Sequence, residues 1–279
     1  MGFLSDAPVL QGDALSTSPV LGADQAPAPD YSADVASPTQ AGVRAGGNVI
    51  GAAWHNLLGQ TAETMGLTGF AADRFKDAAD YTAKLNEPSN GLRSVRDVKD
   101  LTDLTHLVGF TAGQAAATMA PAAALTIGLR RPMVGVVGGM GPINTGEQIG
   151  NLRADPKVMA TKTPGQILTN AVGIGTANTA LETLGGAGIA ARRLVGQGTK
   201  EGLGKSILKG ALGEGGTEPT QNILGQLGHM QMNPEKKLDT SQLLDEAVGG
   251  LIGGAVLTGA GHVVGKIPEA IGSATEAIG

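Results

Sequence analysis

The chain has no cysteine and few aromatic residues, and both shortages limit what it can be. Without Cys among its 279 residues it can form no disulfide, no thiolate nucleophile and no cysteine-ligated metal site. Aromatic residues make up only 3% of the sequence, whereas Gly occurs 45 times. Because large side chains usually dominate buried surface, burial here must come from Ala, Val, Leu and Ile on closely approaching backbones. This composition favours helix-on-helix contact through small residues.

Charge is also scarce, and it is unevenly placed. Charged residues make up 16% of the chain and the formal net charge is -5. The acidic residues that precede the first basic residue, Arg44, account for all of that net charge. They are Asp6, Asp13, Asp24, Asp30 and Asp34. The rest of the chain is formally neutral and lacks the basic stripe that neutralises nucleic-acid phosphates, so we expect no specific nucleic-acid binding.

Catalytic and cofactor motifs are also missing from the sequence. The histidines are isolated, and none has a second candidate ligand three or four residues later: His55, His106, His229 and His262. Residues 204–206 look like the end of a phosphate-binding loop but lack its first glycine. Residues 186–191 match a dinucleotide-binding pattern but follow no strand. We therefore predict that the protein is not an enzyme and holds no cofactor or metal.

The chain divides into an N-terminal arm and a long helical part. Residues 1–40 are rich in Pro, Ser, Ala and Asp, have no helical or strand period and carry no secretory signal, which predicts a disordered acidic arm. Beyond it, apolar residues recur at spacings of three and four, so the predicted fold is mostly α, with Gly/Ala-rich helical hairpins. We expect amphipathic helices in 41–92, long kinked apolar helices in 93–160 and a Gly-rich helical hairpin region in 161–279.

The amphipathic part is predicted to contain a helix over 42–65, carrying the single tryptophan, and a second helix over 69–85. In the second helix, charged and apolar residues are spaced so that they are expected to lie on opposite faces. The apolar residues expected to share one face are Phe70, Phe75, Ala78 and Ala79.

Local signals predict where several later helices begin and end. Ser94–Asp97 resembles a capping box that opens a long helix, and Arg130–Arg131 ends it. Thr163–Gln166 combines a capping hydroxyl, a first-turn proline and an amide three residues on, which predicts a helix start. Asn233–Pro234 ends the helix that follows residue 203, and a last long helix is predicted over 241–266.

Two stretches, 104–129 and 247–265, carry no formal charge. The second is close to the roughly 20 residues that cross a bilayer core, but Gly, Ala and Thr dilute its apolar side chains. A permanent span, a helix that inserts conditionally and a plain helical hairpin core all stay open as interpretations. Glycines one turn apart let helix backbones approach closely. The glycines expected to pack in this way are Gly249, Gly250, Gly253, Gly254, Gly261 and Gly265.

Acidic and amide residues within the small-residue helices form a second candidate feature. They are Glu182, Glu214, Glu218 and Gln221. A carboxylate among so much Gly and Ala must be paired or hydrogen-bonded to avoid a penalty of several kcal/mol. Arg192, Arg193 and Thr217 are the expected partners. We interpret the set as an inter-helix polar clasp in preference to a catalytic carboxylate pair.

Four segments carry a family resemblance: GFTAGQAAATMAPAAAL, MVGVVGGMGPINTGEQIGNLR, ILTNAVGIGTANTALETLGG and LGEGGTEPTQNILGQ. They resemble the Ala/Gly-rich helical hairpin regions of internal virion, or ejection, proteins of short-tailed bacteriophages, and of the long polyvalent proteins of some phages. The resemblance extends over about 107–264 and rests on pattern, without a catalytic motif. The residues that match recurrent polar positions of those hairpins are Glu147, Glu182, Glu214, Glu218 and Gln221.

The resemblance implies a protein that is packed in the virion interior and released through the portal and tail at infection. It would then assemble with other virion proteins, in several copies, into a conduit across the host cell envelope. Some relatives also cleave peptidoglycan, but no lysozyme-like domain is recognisable here. Helices around 104–146 and 241–266 are expected to line or cross the host membrane. The alternatives are a minor capsid or tail-associated structural protein without membrane contact, and a membrane-active pore-forming effector.

Overall fold

The structure is a computed structural model that describes residues 37–86, 98–185, 203–239 and 243–257, together with Gly188. Across these residues the chain is 88% helical and contains no strand. The prediction of a mostly α fold is therefore confirmed. Residues 1–36 of the expected arm, and 241–242 and 258–266 of the expected last helix, lie outside the described residues. Residues 37–40 of the expected disordered arm are instead the cap and first residues of a helix.

Eight helices lie within the described residues. They are α1 (Pro38–Thr64), α2 (Thr68–Asn86), α3 (Leu101–Leu129), α4 (Pro132–Arg153), α5 (Pro156–Thr161), α6 (Pro164–Leu184), α7 (Leu203–Met232) and α8 (Leu243–Leu257). The predicted helix ends at Arg130 and Asn233 are confirmed, and Thr163 and Gln166 form the predicted capping box of α6.

Two helices begin at caps that the sequence analysis did not identify. Ser37 and Gln40 form a capping box around the first-turn Pro38, so α1 starts four residues before the expected Gly42. Asp100 caps α3 by accepting a hydrogen bond from the backbone N–H of Asp103 at 2.9 Å. The expected capping box at 94–97 lies outside the described residues.

The first pair of helices, α1 and α2, forms an antiparallel hairpin in which aromatic rings cover glycines. Gly51 of α1 faces the ring of Tyr81, and Gly59 faces the ring of Phe75. The predicted apolar face of α2 is wrong in part, because Phe70 and Ala79 are exposed. The inward face instead contains Ala71, Phe75 and Ala78, at spacings of four and three. Phe70 and Ala79 are each one position away from this face, and one position turns a side chain by about 100° around the helix.

The remaining helices stack in chain order. α3 runs alongside α1 in the same direction and forms a hairpin with α4. α4 packs antiparallel on α6. In turn, α6 packs on α7, and α7 packs on α8. The last helix returns to the first part of α3, where Leu104 and Leu107 contact Val248 and Ile252 in one buried cluster. The stack is therefore closed by a contact between distant parts of the sequence.

Glycines bring these helices into backbone contact. A Cβ at Gly146 would lie 2.7 Å from Ala53 Cα, one at Gly139 would lie 2.5 Å from Ala122 Cα, and one at Gly175 would lie 2.8 Å from Thr145 Cα. Such separations leave no room for a methyl group, since carbon atoms in contact lie about 3.5–4.0 Å apart. The core is accordingly thin, and backbone rather than large side chains fills much of it.

Of the glycines expected to pack in the last helix, Gly249 makes no close contact. A Cβ at Gly249 would meet nothing within 4 Å, whereas Val248 and Ile252 are fully buried against α3. The reason is helical phase: α8 meets α7 through Leu251, against Gly215, and Gly249 lies off both faces. Gly250 is buried. No surroundings are described for Gly253 and Gly254, while Gly261 and Gly265 lie outside the described residues.

Within the described ranges, no helix has both the length and the apolarity that crossing a membrane requires. Gly, Ala and Thr dilute the large apolar side chains of α3 and α4 too far. The expectation that helices around 104–146 and 241–266 line or cross a host membrane stays a prediction.

Candidate functional site

A buried row of polar side chains lies where α4, α6 and α7 meet, and we call it the polar seam. Its members are Asn144 and Gln148 of α4, Thr179 and Glu182 of α6, and Gln221 of α7. The first four are buried and Gln221 is half-buried. Spacings of four in α4 and three in α6 place each pair on one face of its helix. These helices therefore turn polar side chains toward one another inside an otherwise small and apolar core.

Glu182 is the centre of the seam. Only 8% of its surface is exposed. Its Oε1 accepts one hydrogen bond from Asn144 Nδ2 and another from Gln221 Nε2, each at 3.2 Å. Because the two donors come from different helices, a single carboxylate oxygen links α4, α6 and α7.

The two amides that hold Glu182 are themselves anchored. Asn144 Nδ2 also donates to Thr179 Oγ1 at 3.1 Å, and Gln221 Nε2 also donates to the carbonyl oxygen of Asn178 at 3.1 Å. Farther along α4, Gln148 Nε2 donates to the carbonyl oxygen of Gly225 in α7 at 3.2 Å. The seam thus contains bonds from side chain to side chain and from side chain to backbone.

The chemistry of the seam suits fastening rather than proton transfer. Carboxamides are neutral over the whole physiological pH range, so Asn144 and Gln221 can orient Glu182 but cannot exchange a proton with it. A buried carboxylate that accepts hydrogen bonds is costly to disrupt, because its loss leaves the donors unsatisfied. Among the described residues there is also no group of three or more His, Asp or Glu side chains that could hold a metal ion.

The structure brings together two of the four residues expected in the polar clasp, Glu182 and Gln221. Glu218 is exposed on α7, and the side chain of Glu214 lies outside the described ones. Of the expected partners, Thr217 is buried on α7, and residues 192–193 lie outside the described residues. Sequence reasoning missed Asn144, which supplies the α4 end of the clasp, because a lone Asn within a helix carries no local signal of its distant partner.

A second polar cluster joins the start of α5 to the end of α7. Asp155 caps α5 by accepting from the backbone N–H groups of Lys157 and Val158, and its Oδ2 contacts His229 Nε2 and Asn233 Nδ2, both at 2.8 Å. Burial alone raises the pKa of Asp155, but hydrogen bonds from Asn233, His229 and the backbone together outweigh it and lower the pKa to about 2. The carboxylate is therefore held ionised and fixes the α4–α5 corner to α7.

A third cluster centres on Arg153 at the end of α4. Its guanidinium donates to Glu63 Oε2 at 2.7 Å and to Gln60 Oε1 at 3.2 Å, and its Cζ lies 3.4 Å from the centre of the Phe75 ring. Gln60 in turn donates to the carbonyl oxygen of Pro164 at 3.0 Å. This cluster ties α4 to both helices of the first hairpin and to the start of α6, which explains why Phe75 keeps a partly buried position.

Glu147, which matched a recurrent polar position of the resembling hairpins, is exposed on α4 and lies outside the seam. The four segments that carry the resemblance fall on α3, α4, α6 and α7. No protein-family model, curated protein or solved structure matches the chain.

Proposed function

We propose that this protein is a non-enzymatic internal virion protein of a short-tailed bacteriophage, ejected with the DNA to help form a conduit across the host envelope. Its partners would be other ejection proteins, the portal or tail, and further copies of the chain. It would reside in the virion interior and then in the host cell envelope. In this role the polar seam fastens the helices and performs no chemistry on a substrate.

One observation supports this proposal more than any other. The four segments that resemble ejection proteins are not scattered over the fold: α3 packs on α4, α4 on α6 and α6 on α7. The polar positions Glu182 and Gln221 of those segments meet at one carboxylate oxygen. A resemblance that rests on pattern gains weight when its parts form one continuous stack with a shared polar seam.

The thin core also supports assembly into larger structures. Helices that pack through glycine bury little apolar area within one copy of the chain. Large apolar side chains that stay exposed can contribute to stability only when another molecule covers them. Leu58, Val172 and Leu184 are examples of large apolar side chains left exposed. Contacts with other copies or other virion proteins would cover them.

The proposal is tested by mass spectrometry of virions before and after DNA ejection. The protein should be present in intact particles and depleted from the emptied shells. A phage that carries Glu182→Leu should incorporate less of the protein, because the unsatisfied amides of Asn144 and Gln221 loosen the stack. Glu182→Gln keeps an acceptor for both amides and serves as the matched control. Retention in emptied shells would favour the rival role of minor capsid or tail protein, and absence from intact particles would refute both.

A further inference from the structure

The turn between α3 and α4 carries an unusual concentration of exposed apolar side chains, which we call the apolar tip. Its members are Leu125, Ile127, Leu129, Met133, Val134 and Val137. They are six of the 18 exposed large apolar residues in the described part of the chain, although they lie within one short turn and its flanks. Exposed apolar groups gathered in this way mark a contact surface, whereas single exposed ones do not.

Two arginines, Arg130 and Arg131, form the turn itself, and each occupies a backbone position that suits another residue. Arg130 has φ 51°, and it is the one non-glycine residue in the described ranges with positive φ. A left-handed position at the end of a helix favours Gly, which this chain uses 45 times elsewhere. Arg131 is the N-cap of α4 and makes no capping hydrogen bond, whereas Ser37, Asp155 and Thr163 cap the other helices that begin with Pro.

Both arginines are exposed, and the sequence offers them no acidic partner nearby. Neither Asp nor Glu occurs between Asp103 and Glu147, so the part of the hairpin nearest the turn carries two positive charges and no negative one. Local backbone preferences disfavour arginine at both positions. At Arg131 the dipole of α4 also disfavours a positive charge, so this charge in particular points to a role outside the fold. Residues held in unfavourable backbone conformations, as Arg130 is here, often lie at functional sites.

We propose that the apolar tip docks into the surface of an anionic lipid membrane. Leu129, Met133 and their neighbours would enter the boundary between headgroups and acyl chains, while Arg130 and Arg131 bind lipid phosphates, which guanidinium groups match in geometry. A second copy of the chain fits less well, because a symmetric contact between two tips would bring four arginines together. The inference rests on the proposed function only for the identity of the membrane, which would be that of the host.

The test is co-sedimentation of the purified full chain with vesicles of phosphatidylcholine, with and without phosphatidylglycerol. We expect binding to the anionic vesicles, weakened by salt. Arg130→Gly with Arg131→Ser should reduce that binding about 25-fold, since each arginine near an anionic surface contributes roughly fivefold. Because Gly suits the left-handed position and Ser suits the N-cap, this variant should melt at or above the wild-type temperature, so lost binding would not reflect lost folding.

The apolar part of the tip is tested by Leu129→Gln with Met133→Gln, which keeps helix propensity and side-chain length. This variant should lose binding to anionic vesicles. The matched control is Met65→Gln with Leu67→Gln, because these side chains are also exposed at a helix turn but have no arginines beside them. The control should bind as the wild type does.

Three outcomes would overturn the inference. The first is that the wild type does not bind anionic vesicles, and the second is that both tip variants still bind them. The third is that the chain does not bind vesicles but associates with itself in a concentration-dependent way, and that the Gln variant abolishes this association. The last would assign the tip to a second copy. Each leaves the virion measurement unaffected, so failure of the tip and failure of the proposed function are distinguishable.

Discussion

Replacing Gly146 by Ala should destabilise the whole stack, and the expected size of the effect follows from the contact between α4 and α1. The new methyl group would overlap the carbonyl oxygen of Ala53 and lie 2.5 Å from its carbonyl carbon. Because carbon atoms in contact lie about 3.5–4.0 Å apart, the two helices must separate by about 1 Å. Alanine gains about 1 kcal/mol of helix propensity, but overpacking costs about 1–3 kcal/mol and more where backbone must move.

The backbone of two helices must move here, so we expect a net loss of about 2 kcal/mol or more, measured as the free energy of unfolding in urea. For a chain of this size, that loss lowers the melting temperature by about 4–8 °C. Gly173→Ala is the matched control, because Gly173 also lies inside a helix but a Cβ there meets nothing within 4 Å. The control should gain up to about 1 kcal/mol. If both substitutions stabilised the protein equally, the close backbone contacts would not exist in solution.

Substitutions at three other residues test the polar clusters by urea unfolding. Asp155→Asn should lower the free energy of unfolding by about 2 kcal/mol at pH 7, because hydrogen bonds depress the pKa of Asp155 in the folded state. The difference from wild type should vanish as the pH falls from about 4 to 2. A difference that stays constant over this pH range would contradict the prediction. Glu182→Leu should cost about 2–4 kcal/mol through unsatisfied amides, and Glu182→Gln less than about 1 kcal/mol; equal losses would contradict the seam. Arg153→Lys should cost about 1–2 kcal/mol by losing its stacking on Phe75, and a neutral result would contradict that contact.

Helix ends were the part of the fold that the sequence predicted best, because their signals are local. Thr163 and Gln166 form a capping box from residues three positions apart, and the chain needs no distant contact to specify it. The same signal at Ser37 and Gln40 was overlooked because it lies among the prolines of the N-terminal arm. The signal at Thr163 places the start of α6 correctly, whereas the similar pattern at Ser94–Asp97 does not mark the start of α3, which begins after the cap at Asp100. Where composition alone set the boundary, the predicted start of α1 is displaced by four residues.

The contacts between helices were predictable only in kind. The sequence indicates that Glu182 needs a polar partner, but the choice of Asn144 depends on how α4 and α6 are rotated about their axes. Likewise, Gly146 and Gly249 look alike in sequence, and only the first faces a neighbouring backbone. Neighbouring residues in a helix point about 100° apart, so one position can be buried while the next is exposed. When the faces of a helix differ little in apolar character, the sequence specifies only weakly which face is turned inward.

Glycine packing and the apolar tip have a common cause in the geometry of α4. Gly135 and Gly139 face α3 at backbone distance, and Val136 and Met140 are buried beside them. Met133, Val134 and Val137 lie off that stripe, so their side chains are turned outward. In an ordinary soluble hairpin the large apolar residues would fill the interface and polar residues would cover the outside. Here glycines bring the backbones of α3 and α4 into contact, and the outward apolar side chains need a partner that this stretch of chain does not supply.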